Sequence, residues 1–333
     1  MTPPYETTFW HLLGTVSRGE YRVDQSLTIY LDVDALRASG QYEEVRAHEE
    51  THLQLTTSTT IGHALMFLAS SELVRHPVFE SLFDALMKVS WEAQEGAATV
   101  TEWFLAERRD EHLDEARFIA GLPEQYKEPF DVFNTVVKIL LHPDSYWMRP
   151  VLANALAQFF LNTDILQRLN LGFQGKEGGT EFRDYFDAVE NHPQRRRLAV
   201  MSALGEANSD LRMHRCEEIA ADLARIKDAL ERVCPGSIKG DTMDLACMER
   251  SQVFQLNDLL NQTFLRYFSR ITSLPIGALH ASEAAEQINQ LVRTLEQVSG
   301  QPILFNHFDM SRNLQLRTEF KPEVIDIRGG ELQ

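Results

Sequence analysis

Cysteine is scarce in this sequence. The 333 residues include only Cys216, Cys234 and Cys247, and no Cys-x-x-Cys pair occurs. An odd number of cysteines without such a pair favours neither a disulfide framework nor a cysteine-ligated zinc site. We therefore expect three reduced thiols.

Long apolar runs are also missing. The longest, such as residues 151–161, are much shorter than the roughly 20 residues that a membrane-spanning helix requires. Residues 1–6 lack the positive charge and the apolar stretch of a secretory signal. Together these absences predict a cytoplasmic protein without a membrane partner.

Positive charge is the third shortage. There are 32 Lys and Arg against 49 Asp and Glu, which gives a net charge of −17. Such a chain repels phosphate backbones, so we expect no nucleic-acid partner. The one compact basic run, residues 195–197, follows His192-Pro193 at a predicted helix start and is interpreted as a solvated turn.

The length leaves the number of domains open. At 333 residues and 38.1 kDa, the chain is near the size at which one hydrophobic core becomes two. Four glycines fall within residues 172–179, and this glycine-rich segment is the predicted boundary. It would separate a domain at residues 1–171 from a helical region at residues 180–333, unless the two pack as one continuous domain.

Helical patterns dominate the chain after a strand-like beginning. Residues 8–16, 21–23 and 27–31 have strand character and predict a small N-terminal β-sheet. Apolar spacing and stop signals predict helices at residues 42–58, 61–74, 78–109, 129–141, 149–169, 182–189, 194–233, 243–271 and 282–298.

The most specific motif is His48-Glu49-Glu50-Thr51-His52, an HExxH pattern. On a helix, residues four positions apart are neighbours about 5–6 Å apart, so His48 and His52 can bind one metal ion. Glu49 is rotated about 100° from His48, which suits a general base that reaches a water molecule better than it suits a ligand. The spacing therefore predicts a zinc site with its own base.

Catalytic zinc usually has three protein ligands, so a third must come from elsewhere. Leu55 and Ser58 stand where the metzincin pattern has Gly and His, so that pattern fails. The HExxH run followed by Glu95-Gly96-Ala97-Ala98 on a second predicted helix instead resembles the active site of gluzincin-type zinc metallopeptidases. The resemblance covers only about residues 27–105 and lacks the longer motifs of the thermolysin and aminopeptidase relatives.

The resemblance implies specific roles. His48, His52 and Glu95 would bind Zn²⁺, Glu49 would be the base, and Glu92 or Glu102 could accept a hydrogen bond from a ligand histidine. The implied fold is mainly α with some β: a zincin-like arrangement with a small N-terminal β-sheet packed on the active-site helix, followed by a large helical region. The implied activity is hydrolysis of a peptide or protein substrate.

Several assignments stay open at this point. Tyr146, His112 and His307 are candidates for stabilising the oxyanion, with Tyr146 preferred, and residues 56–60 could line the cleft floor or form a helix end. A ferritin-like two-metal oxidase is an alternative, because Glu49-x-x-His52 is also its metal motif, although the sequence has no second Glu-x-x-His. A third possibility is a non-catalytic, zinc-stabilised protein that binds a protein partner through its C-terminal helical region.

Overall fold

Helices make up most of the structure. The computed structural model describes residues 19–22, 27–30, 33–70, 77–141, 148–173, 192–205, 228, 238–239, 242–243, 250–276 and 281–299. Of the predicted features, the helix at residues 182–189, the glycine-rich segment from residue 174 onward, the three cysteines, Tyr146 and His307 lie outside these residues.

The described residues contain eleven helices, which are numbered in chain order. They are α1 (Val33–Ala38), α2 (Tyr42–Ser58), α3 (Thr60–Ser70), α4 (Pro77–Arg109), α5 (Glu115–Gly121), α6 (Glu124–Leu140), α7 (Arg149–Leu161), α8 (Ile165–Phe173), α9 (Pro193–Gly205), α10 (Arg250–Thr272) and α11 (Ala281–Ser299). Among the described residues, no helix is both long enough and apolar enough to cross a membrane.

The predicted fold class, with a small N-terminal β-sheet of the zincin type, is wrong, because the part of the chain that can be interpreted is mainly helical. Extended backbone is limited, within the described residues, to two antiparallel pairs: Gly19–Arg22 with Leu27–Tyr30, and Ile238–Lys239 with Thr242–Met243. Both strands of the first pair pack against helix α2, and two strands of four residues each are much less than the predicted sheet. The predicted strand at residues 8–16 lies outside the described residues.

The predicted helices agree with the structure to different degrees. Helix α2 occupies the predicted residues 42–58. The predicted helix at residues 149–169 is instead two helices, because the chain leaves helical geometry at Asn162 (φ −92°, ψ 87°) after α7 and α8 starts at Ile165. Asn162 and Thr163 are buried at this break. Periodicity alone does not reveal such a short interruption.

The chain forms two compact units, each assembled from separated stretches of sequence. The first comprises residues 1–89, 164–181 and 278–333, and the second comprises residues 90–163 and 182–277. The division falls within α4. The predicted boundary near residues 172–179 stays a prediction, because most of that segment lies outside the described residues.

The first unit contains α2, α3, α8 and α11. Helix α3 is apolar on nearly every side, with Leu65 and Phe67 fully buried. One polar contact joins α11 to α8: the hydroxyl of Thr294 donates to Oδ1 of Asn170 at 2.6 Å, and both residues are buried. A satisfied polar pair inside an apolar core fixes the register of the two helices.

The second unit has an aromatic core. Phe160 of α7 meets Phe133 of α6 edge-on at 5.7 Å between ring centroids, and Phe159 meets Phe268 of α10 at 5.8 Å. Asn261 of α10 also donates to Oε1 of Gln158 at 2.6 Å. Apolar burial and aromatic geometry therefore hold α7 against two partner helices.

The basic run at residues 195–197 is not the solvated turn that the sequence suggested. It lies in the first turns of α9, and Arg196 is 0% exposed. Its Nε donates to the carbonyl of Phe159 and its Nη2 to that of Pro275, each at 2.8 Å, while the guanidinium lies 4.3 Å from the ring centroid of Phe159. Two carbonyls that are distant in sequence thus receive hydrogen bonds from one buried side chain.

Replacing Arg196 should destabilise the protein strongly. Arg196→Ala leaves two carbonyls without these donors and opens a cavity, so we expect the free energy of unfolding to fall by more than about 3 kcal/mol. Urea unfolding followed by circular dichroism measures this change. Arg195→Ala is the matched control because Arg195 is partly exposed, and its cost should stay below about 1 kcal/mol. Equal costs for the two variants would contradict the role assigned to Arg196.

Candidate metal centre

Helix α2 supplies the HExxH motif, and its start is set by a glycine. Gly40 has φ 71°, a left-handed conformation that glycine adopts without strain. In this turn the N–H groups of Gly40 and Gln41 donate to the carbonyls of Arg37 and Leu36, at 3.1 and 2.9 Å, which ends α1. The chain then reverses into α2 at Tyr42, so the motif lies within a continuous helix.

The two histidines of the motif are in contact. The ring centroids of His48 and His52 are 4.9 Å apart, and the ring planes are inclined by 70°. His52 is buried, whereas His48 is partly exposed. The four-residue spacing on α2 therefore places both imidazoles on one face, as predicted from the sequence.

Glu95 of α4 completes the group. One ligand atom from each of His48, His52 and Glu95 lies within 4.8 Å of the others, and Glu95 is only 4% exposed. In a tetrahedral zinc site with bonds of about 2.0–2.1 Å, donor atoms are roughly 3.3–3.5 Å apart, so small side-chain rotations would bring these three to bonding distance. Two imidazole nitrogens and a carboxylate oxygen are suitable donors, and this His-His-Glu group can hold a metal ion.

The two glutamates inside the motif have different surroundings. Glu49, next to the ligand His48, is buried. The side chain of Glu50 is 50% exposed and lies 3.4 Å from the guanidinium of Arg46. Partial burial raises the pKa of the Glu50 carboxyl; Arg46 opposes this shift, and Glu43 adds to it. Because Glu50 faces outward, Glu49 is the carboxylate of the motif that lies inside the protein.

Gly96, beside Glu95, allows a close approach of α6. A Cβ atom at this position would lie 2.3 Å from Cδ2 of Phe133, which is itself buried. The ring of Phe133 takes the space that a side chain at residue 96 would fill, so this contact fixes the turn of α4 that carries Glu95.

The other acidic candidates on α4 are placed differently. The carboxylate of Glu92 accepts from Nη1 of Arg197 at 2.9 Å, and Arg197 also reaches Glu128 at 3.3 Å. Glu92 therefore pairs with Arg197 and not with a ligand histidine. Glu102 lies further along the helix and is partly exposed.

The oxyanion candidates are not brought to this group within the described part of the chain. His112 lies in the turn after α4 with its side chain 84% exposed, beside Glu111. Tyr146 and His307 belong to segments outside that part. Their assignments stay predictions.

The threonine-rich segment at the end of α2 forms a helix junction. Thr59 donates through its hydroxyl to the carbonyl of Leu55 at 2.8 Å and accepts from the N–H of Gly62 at 3.1 Å. A Cβ at Gly62 would lie 2.2 Å from the carbonyl oxygen of Thr56. Helix α3 therefore packs directly against the backbone of α2 at Thr56, which lies one turn after His52.

Comparisons with known proteins give no further guidance: no family model, no curated protein and no solved structure matches this chain.

The junction predicts a strong effect of one methyl group. Gly62→Ala would place its Cβ against the backbone of Thr56, which cannot rotate away, so we expect the free energy of unfolding to fall by about 1–3 kcal/mol. Thermal and urea unfolding measure this loss. In the control, Gly121→Ala at the end of α5, the new methyl meets nothing within 4 Å. It should leave stability unchanged or raise it by up to about 1 kcal/mol, because alanine is the better helix former. Similar behaviour of the two variants would contradict the close packing at Gly62.

Proposed function

We propose that this protein is a zinc-dependent metallopeptidase that hydrolyses peptide bonds in a peptide or protein substrate. The observation that carries the proposal is the meeting of three donor atoms, from His48, His52 and Glu95, within 4.8 Å. Two of the donors belong to an HExxH motif, and the third belongs to a separate helix. This is the donor set and the arrangement that the resemblance to gluzincin-type peptidases implies.

Zinc is the metal that this donor set favours. Imidazole nitrogen and carboxylate oxygen both bind Zn²⁺ well, and three protein ligands leave a fourth position open, as in catalytic zinc sites. When bound, the ion supplies Lewis acidity, which lowers the pKa of a coordinated water towards about 7 and polarises a carbonyl group. His48, His52 and Glu95 hold and orient it.

Glu49 is the proposed general base. It is buried on α2, beside the ligand His48, and is rotated away from the direction of the two imidazoles. In that position its carboxylate accepts a proton from the attacking water and later delivers it to the nitrogen of the departing amine. A buried carboxylate suits this task because bulk water does not compete for the proton.

A second candidate, the two-metal carboxylate oxidase of ferritin-like bundles, is favoured by one observation: the structure is mainly helical. The sequence opposes it, since Glu49-x-x-His52 is its only Glu-x-x-His element. Metal content separates the candidates, because a peptidase of this type binds one zinc per chain and the oxidase binds two irons.

Replacing the base should abolish hydrolysis without removing the metal. Glu49→Gln keeps the shape of the side chain but cannot take a proton, so we expect cleavage to fall by at least about 100-fold. Cleavage of a peptide library by purified protein, with zinc content measured in parallel, tests this. Glu50→Gln is the matched control because Glu50 faces outward, and it should cleave like the wild type. Equal activity of Glu49→Gln and wild type would remove the peptidase proposal.

Removing a ligand should abolish metal binding. His48→Ala and His52→Ala each delete one of three donors, and we expect the protein to lose its zinc on dialysis while the wild type retains one ion per chain. Elemental analysis by mass spectrometry gives the ratio. His112→Ala, which changes an exposed histidine outside the group, should retain the metal. Retention of zinc by both ligand variants would place the metal elsewhere.

A further inference from the structure

Threonines within the described helices commonly form a hydrogen bond from their hydroxyl to a backbone carbonyl of the same helix. The hydroxyl donates to the carbonyl four residues earlier, a local bond that satisfies it without another partner. Five threonines do this at 2.7–2.9 Å: Thr51, Thr57, Thr101, Thr263 and Thr272.

Thr56 and Thr99 depart from this pattern. They are 0% and 1% exposed, and the Oγ1 atom of each has no hydrogen-bond partner in the described part of the chain. A buried hydroxyl without a partner costs free energy, since the water lost on folding is not replaced. Each of these two residues lies four positions after a member of the candidate metal centre, so that member is a candidate partner for its hydroxyl.

The spacing of these two threonines is informative. Thr56 follows His52 by four residues on α2, and Thr99 follows Glu95 by four residues on α4. Residues four apart lie on the same helix face, and each helical side chain leans towards the N-terminus, over the preceding turn. The hydroxyl of Thr56 therefore lies over the helical turn that contains His52, and the hydroxyl of Thr99 lies over the turn that contains Glu95.

We propose that Thr56 and Thr99 are positioning residues for the metal ligands. With the metal bound, Thr56 would accept a hydrogen bond from the ring N–H of His52 that faces away from the metal. Thr99 would donate its hydroxyl proton to the oxygen of Glu95 that does not bind the metal. The present side-chain positions do not yet make these two bonds. Histidine and carboxylate ligands usually need such outer partners to fix their orientation. The inference rests on the proposed metal centre and adds two residues that the HExxH pattern does not contain.

The test compares valine variants with matched controls. Thr56→Val and Thr99→Val remove only the hydroxyl and keep the shape of the side chain. Thr57→Val and Thr101→Val remove a hydroxyl that is already bonded to the backbone of the same two helices, at 2.8 and 2.9 Å. The readouts are the zinc dissociation constant, from competition with a chelator, and the melting temperature of the metal-free protein.

We expect Thr56→Val and Thr99→Val to weaken zinc binding by about 10- to 100-fold. Their metal-free melting temperatures should equal or exceed that of the wild type, because the deleted hydroxyl had no partner. Thr56→Ser and Thr99→Ser keep a hydroxyl and should restore most of the affinity. Thr57→Val and Thr101→Val should bind zinc within about twofold of the wild type, since their hydroxyls lie outside the outer shell.

The outcomes separate this inference from the proposed function. Zinc affinity unchanged in both Thr56→Val and Thr99→Val overturns the inference alone. Equal losses in the control variants also overturn it, because they would show a general effect on the helices. A wild-type protein that binds no zinc overturns both proposals. Weakened zinc binding in the two variants, together with a wild type that cleaves no peptide, supports the positioning role and counts against the peptidase.

Discussion

The burial of one carboxylate governs the rest of the candidate centre. Glu95 lies inside the protein beside two imidazoles, and an ionised carboxylate in such a place is stable only when it is paired or bound to a cation. Two residues that follow it on α4 serve this placement. Gly96 admits the ring of Phe133, which fixes the helix turn, and Thr99 brings a hydroxyl over the same turn. A divalent cation bound there would balance the negative charge of Glu95.

The helical frame shows that the motif and the fold carry separate information. An HExxH helix needs only a second element that places a carboxylate near its two histidines. Helix α4 does this with Glu95, and no sheet is required. Chemistry belongs to a site more than to a fold, so the resemblance transfers a donor set and does not transfer an architecture. The zincin-type sheet was expected from short alternating runs near the N-terminus, whereas the described residues are mainly helical and contain two short strand pairs.

Polar residues inside the second unit show where composition misleads. Arg196 belongs to a run of three arginines that resembles a solvated turn, yet it is fully buried because Phe159 and Pro275 offer it carbonyls. Asn162 and Thr163 interrupt an apolar stretch that otherwise predicts one helix. The partners of Arg196 are far away in the sequence, so local periodicity does not reveal them.

The sequence by itself determined the helix at residues 42–58, the shared face of His48 and His52, and the separate direction of Glu49, because these depend only on the helical repeat. It also pointed to Glu95, through a resemblance. Tertiary structure decided that Glu95 lies beside the histidines while Glu92 pairs with Arg197. It also decided that the hydroxyls of Thr56 and Thr99 form no hydrogen bond with the backbone of their helices. The reason is physical: the repeat of a helix is local, whereas the choice among several carboxylates depends on which other helices pack against each turn.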